Sequence, residues 1–171
     1  DHRPDLWLET ADEFILLGDK GRVIKRGITP ANLHEHKDLF LQEGIFFPEA
    51  NASLCRMSRR HEQRAQPQEA AIAVDGLTIS HPREEPLLSK ASAVFYRSQI
   101  TAVLGPSGAG KTSLFYTLLG RRPYSGSIRL GSRELKTMKP RSLYKEMGMV
   151  FQNPERQFIS QNVLEEAAQS L

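Results

Sequence analysis

Apolar positions come in short runs separated by strong turn signals. In "EFILLGDKGRVIKRG", two such runs flank Gly18-Asp19-Lys20-Gly21, which predicts a β-hairpin. Thr29 and Pro30 fit an N-cap and first helical position, with Leu33, Phe40 and Leu41 as buried positions and Gly44 as a stop, so a short helix over about 30–43 follows. Ile72, Val74, Leu77 and Ile79 predict a strand that ends before "HPREEP" turns the chain. Ile100 to Leu104 reads as a buried strand, and a helix ends near Gly120. A turn over Pro123 to Gly126 leads into an alternating strand around Ile128 and Leu130. Met149, Val150 and Phe151 have strand character and run into Gln152 and then Asn153-Pro154, which must turn the chain.

Between these patterned stretches, "EANASLCRMSRRHEQRAQPQE" carries few large apolar side chains and reads as a solvated linker. The expected organisation is therefore residues 1–48, a linker over 49–69, and a second unit over 70–171. The 171 residues are 39% hydrophobic and 25% charged, enough for one ordinary domain or pieces of two. No apolar run approaches the ~18 residues of a membrane span, so any membrane role is peripheral. Cys55 is the single cysteine and suits a reducing compartment. With dispersed basic residues and a net charge of only +3, no nucleic-acid partner is expected. The chain starts with Asp1 and stops inside the helical pattern "NVLEEAAQSL", so it is read as a fragment.

The candidate chemistry is concentrated in "ITAVLGPSGAGKTSLFYTLLG", which presents strand, glycine loop and helix in that order. Gly105, Pro106, Ser107, Gly108, Ala109, Gly110, Lys111 and Thr112 make up a P-loop, with Ser113 following. Glycines let backbone N–H groups turn inward and let phosphate oxygens approach with no Cβ between, while the helix presents its positive end. Lys111 would neutralise the β and γ phosphates and the Thr112 hydroxyl would ligate Mg²⁺. The expected ligands are thus a nucleoside triphosphate and Mg²⁺.

The text downstream of the loop decides between families. A guanylate-type kinase would next show an Arg/Thr-rich segment for its nucleoside monophosphate. This chain instead has "RRPYSGSIRLGSREL", which resembles the Pro-x-x-Gly-x-Ile turn of ABC ATPases. "VFQNPERQFIS" resembles their Q-loop, in the form found in cobalt-type and energy-coupling-factor importers. That resemblance implies an α/β fold: a partial P-loop NTPase domain with an antiparallel β subdomain over residues 70–171. It also implies that Gln152 reaches the Mg²⁺ and the attacking water, and that Asn153 to Ser160 meet a transmembrane subunit. An amide can both donate and accept, as such a role requires.

Two details depart from the family pattern. His81, in "TISHP", stands where an aromatic residue stacks on adenine, and Ser98-Gln99 replaces the usual Gly-Glu before the P-loop strand. A Leu-Ser-Gly-Gly signature and an apolar run ending in Asp-Glu are missing after the Q-loop, so the phosphate clamp and the catalytic carboxylate lie outside this sequence. "FILLGD" superficially resembles the carboxylate strand and reads better as the hairpin.

"DHRPDLWLETADEFILLGDKGRVIKRG" resembles the C-terminal end of another ABC nucleotide-binding domain, with His2 as its switch histidine. The parent implied is a tandem ATPase, with His2 serving the first domain's nucleotide and Lys111 the second's. The expected function is ATP binding and hydrolysis that powers import of a vitamin, a vitamin precursor or a cobalt or nickel ion, at the cytoplasmic face of the membrane. The partners are a transmembrane subunit and a second nucleotide-binding domain. The chain alone is expected to bind nucleotide weakly and hydrolyse none. A P-loop kinase of guanylate type and a vestigial linker segment are the competing classes. His34 and His36, two apart, would point away from each other on a helix and are read as surface. Arg121 and Arg122 are expected at the carbonyls ending the P-loop helix, and Trp7 in packing.

Overall fold

The computed structural model describes residues 4–45, 69–80, 86–151, 160, 162, 164, 165 and 168. It divides into two compact units, Asp1–Lys139 and Pro140–Leu171. The first holds two sheets. β1 (Glu13–Leu17) and β2 (Val23–Ile28) form the expected hairpin, joined by a 3₁₀ turn over Asp19–Gly21. On its other side β1 pairs in parallel with β5 (Thr101–Leu104), giving the order β2-β1-β5. Phe14 to Leu17 are at most 2% exposed, as a contiguous apolar run in a parallel pair requires. β2 is an edge strand among the described residues, and Lys25 and Arg26 on it are exposed, which discourages pairing with a further chain.

One core cluster joins Leu8, Phe14, Leu16, Leu33 and Phe40 to Ala102 and Leu104, so the N-terminal segment and β5 share a core. Trp7, expected in packing, is 39% exposed; its carbonyl accepts from the Thr10 and Ala11 N–H groups, and Leu8 and Ala11 enter the core instead. The expected helix starts later than Pro30. The Asn32 side chain accepts from the Thr29 N–H at 2.7 Å and the Asn32 N–H donates to the Thr29 carbonyl, a closed turn that delays the helix. A 3₁₀ segment, Leu33–His36, then passes into α1 (Lys37–Gln42). Gly44, at φ 67°, ends it: the Ile45 N–H bonds the Phe40 carbonyl and the Gly44 N–H that of Leu41, a Schellman stop.

The second sheet is antiparallel, in the order β4-β3-β6-β7, from β3 (Ala70–Ile79), β4 (Leu88–Tyr96), β6 (Ser125–Leu130) and β7 (Arg133–Glu134). Val74, Leu77, Ile79, Leu88, Ala91, Ala93 and Ile128 fill its buried positions, while most other side chains on these strands are half-buried or exposed. The mixed α/β architecture agrees with the expected partial P-loop ATPase domain.

In the second unit, α3 (Pro140–Glu146) is followed by a Met147 N–H bond to the Leu143 carbonyl. Met149, Val150 and Phe151 are not a strand, and Val150 is 88% exposed. A strand needs a ladder for its N–H and C=O groups, and no described strand pairs with these residues, so β-propensity alone does not form one.

Candidate phosphate-binding site

The loop between β5 and α2 (Lys111–Leu118) is built as the glycine spacing requires. Gly108 and Gly110 have φ 85° and 84°, a region in which a side chain is strained, and space around a Cβ on Gly108 is open to 4 Å. Ala109 is 2% exposed beneath the loop, and its N–H donates to the Pro106 carbonyl at 3.3 Å. Gly110 stands at the N-cap of α2 without a side-chain cap, and its carbonyl takes the first helical bond, from Leu114 at 2.8 Å. The helix closes on Gly120, at φ 68°, where the Arg121 N–H bonds the Tyr116 carbonyl and the Gly120 N–H that of Thr117. Arg121 therefore reaches the helix end through its backbone.

The Lys111 side chain folds back over the loop. Its ammonium donates to the carbonyls of Gly105 at 2.6 Å and Pro106 at 2.7 Å. Burial lowers its pKa from the ordinary lysine value, because desolvation disfavours the cation. A phosphate at the loop mouth would favour the charged form again and could take over the ammonium bonds now made to the two carbonyls. Thr112 is exposed and Ser113 half-buried in the first turn of α2. Open space over Gly108, left-handed backbone at Gly108 and Gly110, the Lys111 cation held on the loop carbonyls and the exposed Thr112 together fit a polyphosphate with its divalent cation.

Side chains missed in the sequence support the loop from behind. A Cβ on Gly105 would meet the Leu17 carbonyl oxygen at 2.7 Å, so the loop begins in direct contact with the end of β1. A Cβ on Gly110 would meet Leu88 Cδ1 at 2.8 Å and the Leu87 oxygen at 2.9 Å. Asp12 Oδ2 accepts from the Ile100 N–H at 2.8 Å, and the Asp12 N–H donates to the Ile100 carbonyl at 2.7 Å, just ahead of β5. Only Gly21 and the apolar run of β1 signalled any of this in the sequence, and they signalled a hairpin. Ser98, at the Gly position of the family pattern, lies at φ 56° in the turn before β5.

Eight contiguous residues, Gly105 to Thr112, are thus brought together with Ser113. His2, His81 and Gln152, with Asn153 to Ile159, lie outside the described residues. His34 is exposed and His36 half-buried on the 3₁₀ segment. Among the described residues, no group of three or more His, Cys, Asp and Glu could hold a metal, and no helix is long and apolar enough to cross a membrane.

Residues 88–170 match the family model described as ABC transporter. Over 97% of its length the chain is 29% identical to a Bacillus subtilis protein named as a candidate HMP/thiamine import ATP-binding protein, YkoD, of which the match covers 34%. It is 33% identical over 57% of its length to a candidate ABC transporter ATP-binding protein, GSU3001, of Geobacter sulfurreducens, covering 35% of that protein. A third relative, the mycobactin import ATP-binding/permease protein IrtA of Mycolicibacterium smegmatis, is 33% identical over 51% of the chain. The chain spans about a third of the length of the first two relatives. The P-loop geometry and the family match coincide on the same stretch, residues 88–170, which is similar to the ABC transporter family.

Proposed function

We propose that this chain is part of an ATPase that binds ATP and Mg²⁺ and powers import through a transmembrane partner. The observation that carries the reading is the loop itself, with Gly108 and Gly110 in the left-handed region and the Lys111 ammonium held across the Gly105 and Pro106 carbonyls. In this reading Gly105 to Gly110 cradle the triphosphate, Lys111 binds its β and γ oxygens, Thr112 and Gln152 ligate Mg²⁺, and Ser113 adds a hydroxyl at the helix start. Mg²⁺ bound there would neutralise charge developing on the phosphoryl oxygens. Gln152 would orient the attacking water, and His81 would stack on adenine.

The parent is proposed to be a tandem protein of the energy-coupling-factor type, at the cytoplasmic face of the membrane. Its first nucleotide-binding domain would end in residues 1–48, with His2 at that domain's γ-phosphate, and its second would begin at residue 70, the β1–β2 hairpin of the first joining β5 of the second in one sheet. Alignment of 97% of the chain with one relative, across both segments, supports this organisation. Asn153 to Ser160 would meet the transmembrane subunit. That relative's name supports a vitamin or vitamin precursor such as HMP or thiamine as the cargo.

The test is ATP hydrolysis by the parent protein and its Lys111→Ala and Gln152→Ala variants, with and without the membrane partner. Both substitutions are expected to remove partner-stimulated hydrolysis. Phosphate transfer that requires a nucleoside monophosphate and ignores Gln152 would instead establish a guanylate-type kinase.

A further inference from the structure

We propose that the β1–β2 hairpin is a positioning element for the phosphate loop, so that events in the N-terminal segment are felt at Lys111; this rests on the phosphate-site reading above. Independent contacts converge on it. β1 lies in parallel register with β5, from Glu13 opposite Thr101 to Leu16 opposite Leu104, so the carboxyl ends of both strands emerge on one side of the sheet. The Leu17 carbonyl leaves no room for a Cβ on Gly105. Asp12 holds the Ile100 N–H with its carboxylate and the Ile100 carbonyl with its own N–H.

The hairpin tip makes the remaining contact. A Cβ on Gly21 would collide with the Leu87 carbonyl oxygen and would stand 2.6 Å from Leu88 Cγ. A Cβ on Gly110 would run into the same two residues. Leu87 and Leu88 are therefore a shared wedge, with the hairpin tip on one side and the N-cap of the P-loop helix on the other. Leu88 is fully buried, and its contacts tie the Gly21 position to the Gly110 position. Close-packed interiors transmit such displacements because neighbouring atoms have nowhere else to go.

Gly27 supplies a control from the same hairpin. It has φ 72° against 64° for Gly21, but nothing lies within 4 Å of a Cβ placed on it. Alanine at either position bears similar backbone strain, and only at Gly21 does it also strike the wedge.

The experiment compares Gly21→Ala, Gly27→Ala and Asp12→Ala in the full chain, without ligand by hydrogen exchange over residues 101–119 and then by MgATP binding. Gly21→Ala is expected to speed exchange over 101–119 by about tenfold or more and to weaken MgATP binding, with Gly27→Ala leaving both near the parent values. Asp12→Ala, which keeps the hairpin sequence intact, should move both readouts in the same direction by less. Equal effects of Gly21→Ala and Gly27→Ala, with no effect of Asp12→Ala, would overturn the proposal. Faster exchange in Gly21→Ala alone, in a chain that binds no MgATP with or without substitution, would uphold the positioning role and refute the nucleotide reading.

Discussion

The two sheets of the first unit do opposite jobs with opposite patterns. The β2-β1-β5 sheet buries its two parallel strands as contiguous apolar runs and delivers a loop from their carboxyl ends. The antiparallel β4-β3-β6-β7 sheet leaves much of its surface exposed and ties its strands with polar side-chain bonds. Ser92 accepts from the Gly76 N–H at 3.0 Å, Lys136 donates to the Gly126 carbonyl at 3.0 Å, and Glu134 accepts from Ser127 at 2.6 Å and from the Ile128 N–H at 3.2 Å. A functional loop needs a base that cannot shift, which two-sided burial supplies. A sheet with a solvated face can instead hold its connections with side chains.

Truncation should separate the sheets most sharply. Phe14→Ala, at a fully buried site, is expected to cost about 3–5 kcal/mol, whereas Ile72→Ala, half-buried in β3, should cost about 1–2 kcal/mol; urea unfolding reads both. Similar losses would remove the distinction. Glycines sharpen it within the antiparallel sheet. A Cβ on Gly126, at φ 92°, would meet the Gly76 oxygen at 2.5 Å and the Asp75 oxygen at 2.7 Å, both backbone, while Gly131, at φ 57°, has open space. Gly126→Ala should therefore lose about 3 kcal/mol and Gly131→Ala about 1 kcal/mol in the same titration. Ser98→Gly, in the turn leading to β5, should gain about 0.5–1 kcal/mol by relieving φ 56°, seen as a raised Tm.

The smallest effects are electrostatic and belong to the antiparallel sheet. The Ser127 hydroxyl holds Glu134 below the usual glutamate range against the opposing effect of burial, with help from the Ile128 N–H and the Lys136 charge. Its contribution is present above the unfolded-state pKa and is lost as pH falls through the depressed folded value. Glu134→Gln should flatten that acid limb. Burial and the Glu134 charge push Tyr124 up to about 12 from its ordinary value of 10, so its contribution is full below pH 10 and lost as pH rises toward 12. Tyr124→Phe should flatten the alkaline limb in a stability–pH series.

Local features were legible in the sequence because their causes are local. Gly105 to Thr112 declare a phosphate loop by spacing, Gly18 to Gly21 declare a hairpin, and Gly44 and Gly120 stop helices through left-handed backbone. The partner of β1 was not legible. "EFILL" shows that a strand is buried without showing against what, and nothing near Asp12 announces a bond to Ile100. Asn32 delays a helix that Thr29 and Pro30 promised because its amide competes locally for the backbone. Val150 has the composition of a strand and lacks, among the described residues, a ladder to join.

The Asp12 to Ile100 bond closes a separation of 88 residues, and every pair in the β1–β5 register spans the same distance. The β1–β2 hairpin and the β3–β4 ladder join strands much closer along the chain and bring less loop-closure entropy to overcome. Folding should thus proceed from local ladders to the long parallel closure, with the slowest phase set by that last step. The phosphate loop begins where the closure ends, at Gly105, so a refolding chain should recover its hairpins before it recovers a competent loop, and competence for ligand should lag behind the return of secondary structure.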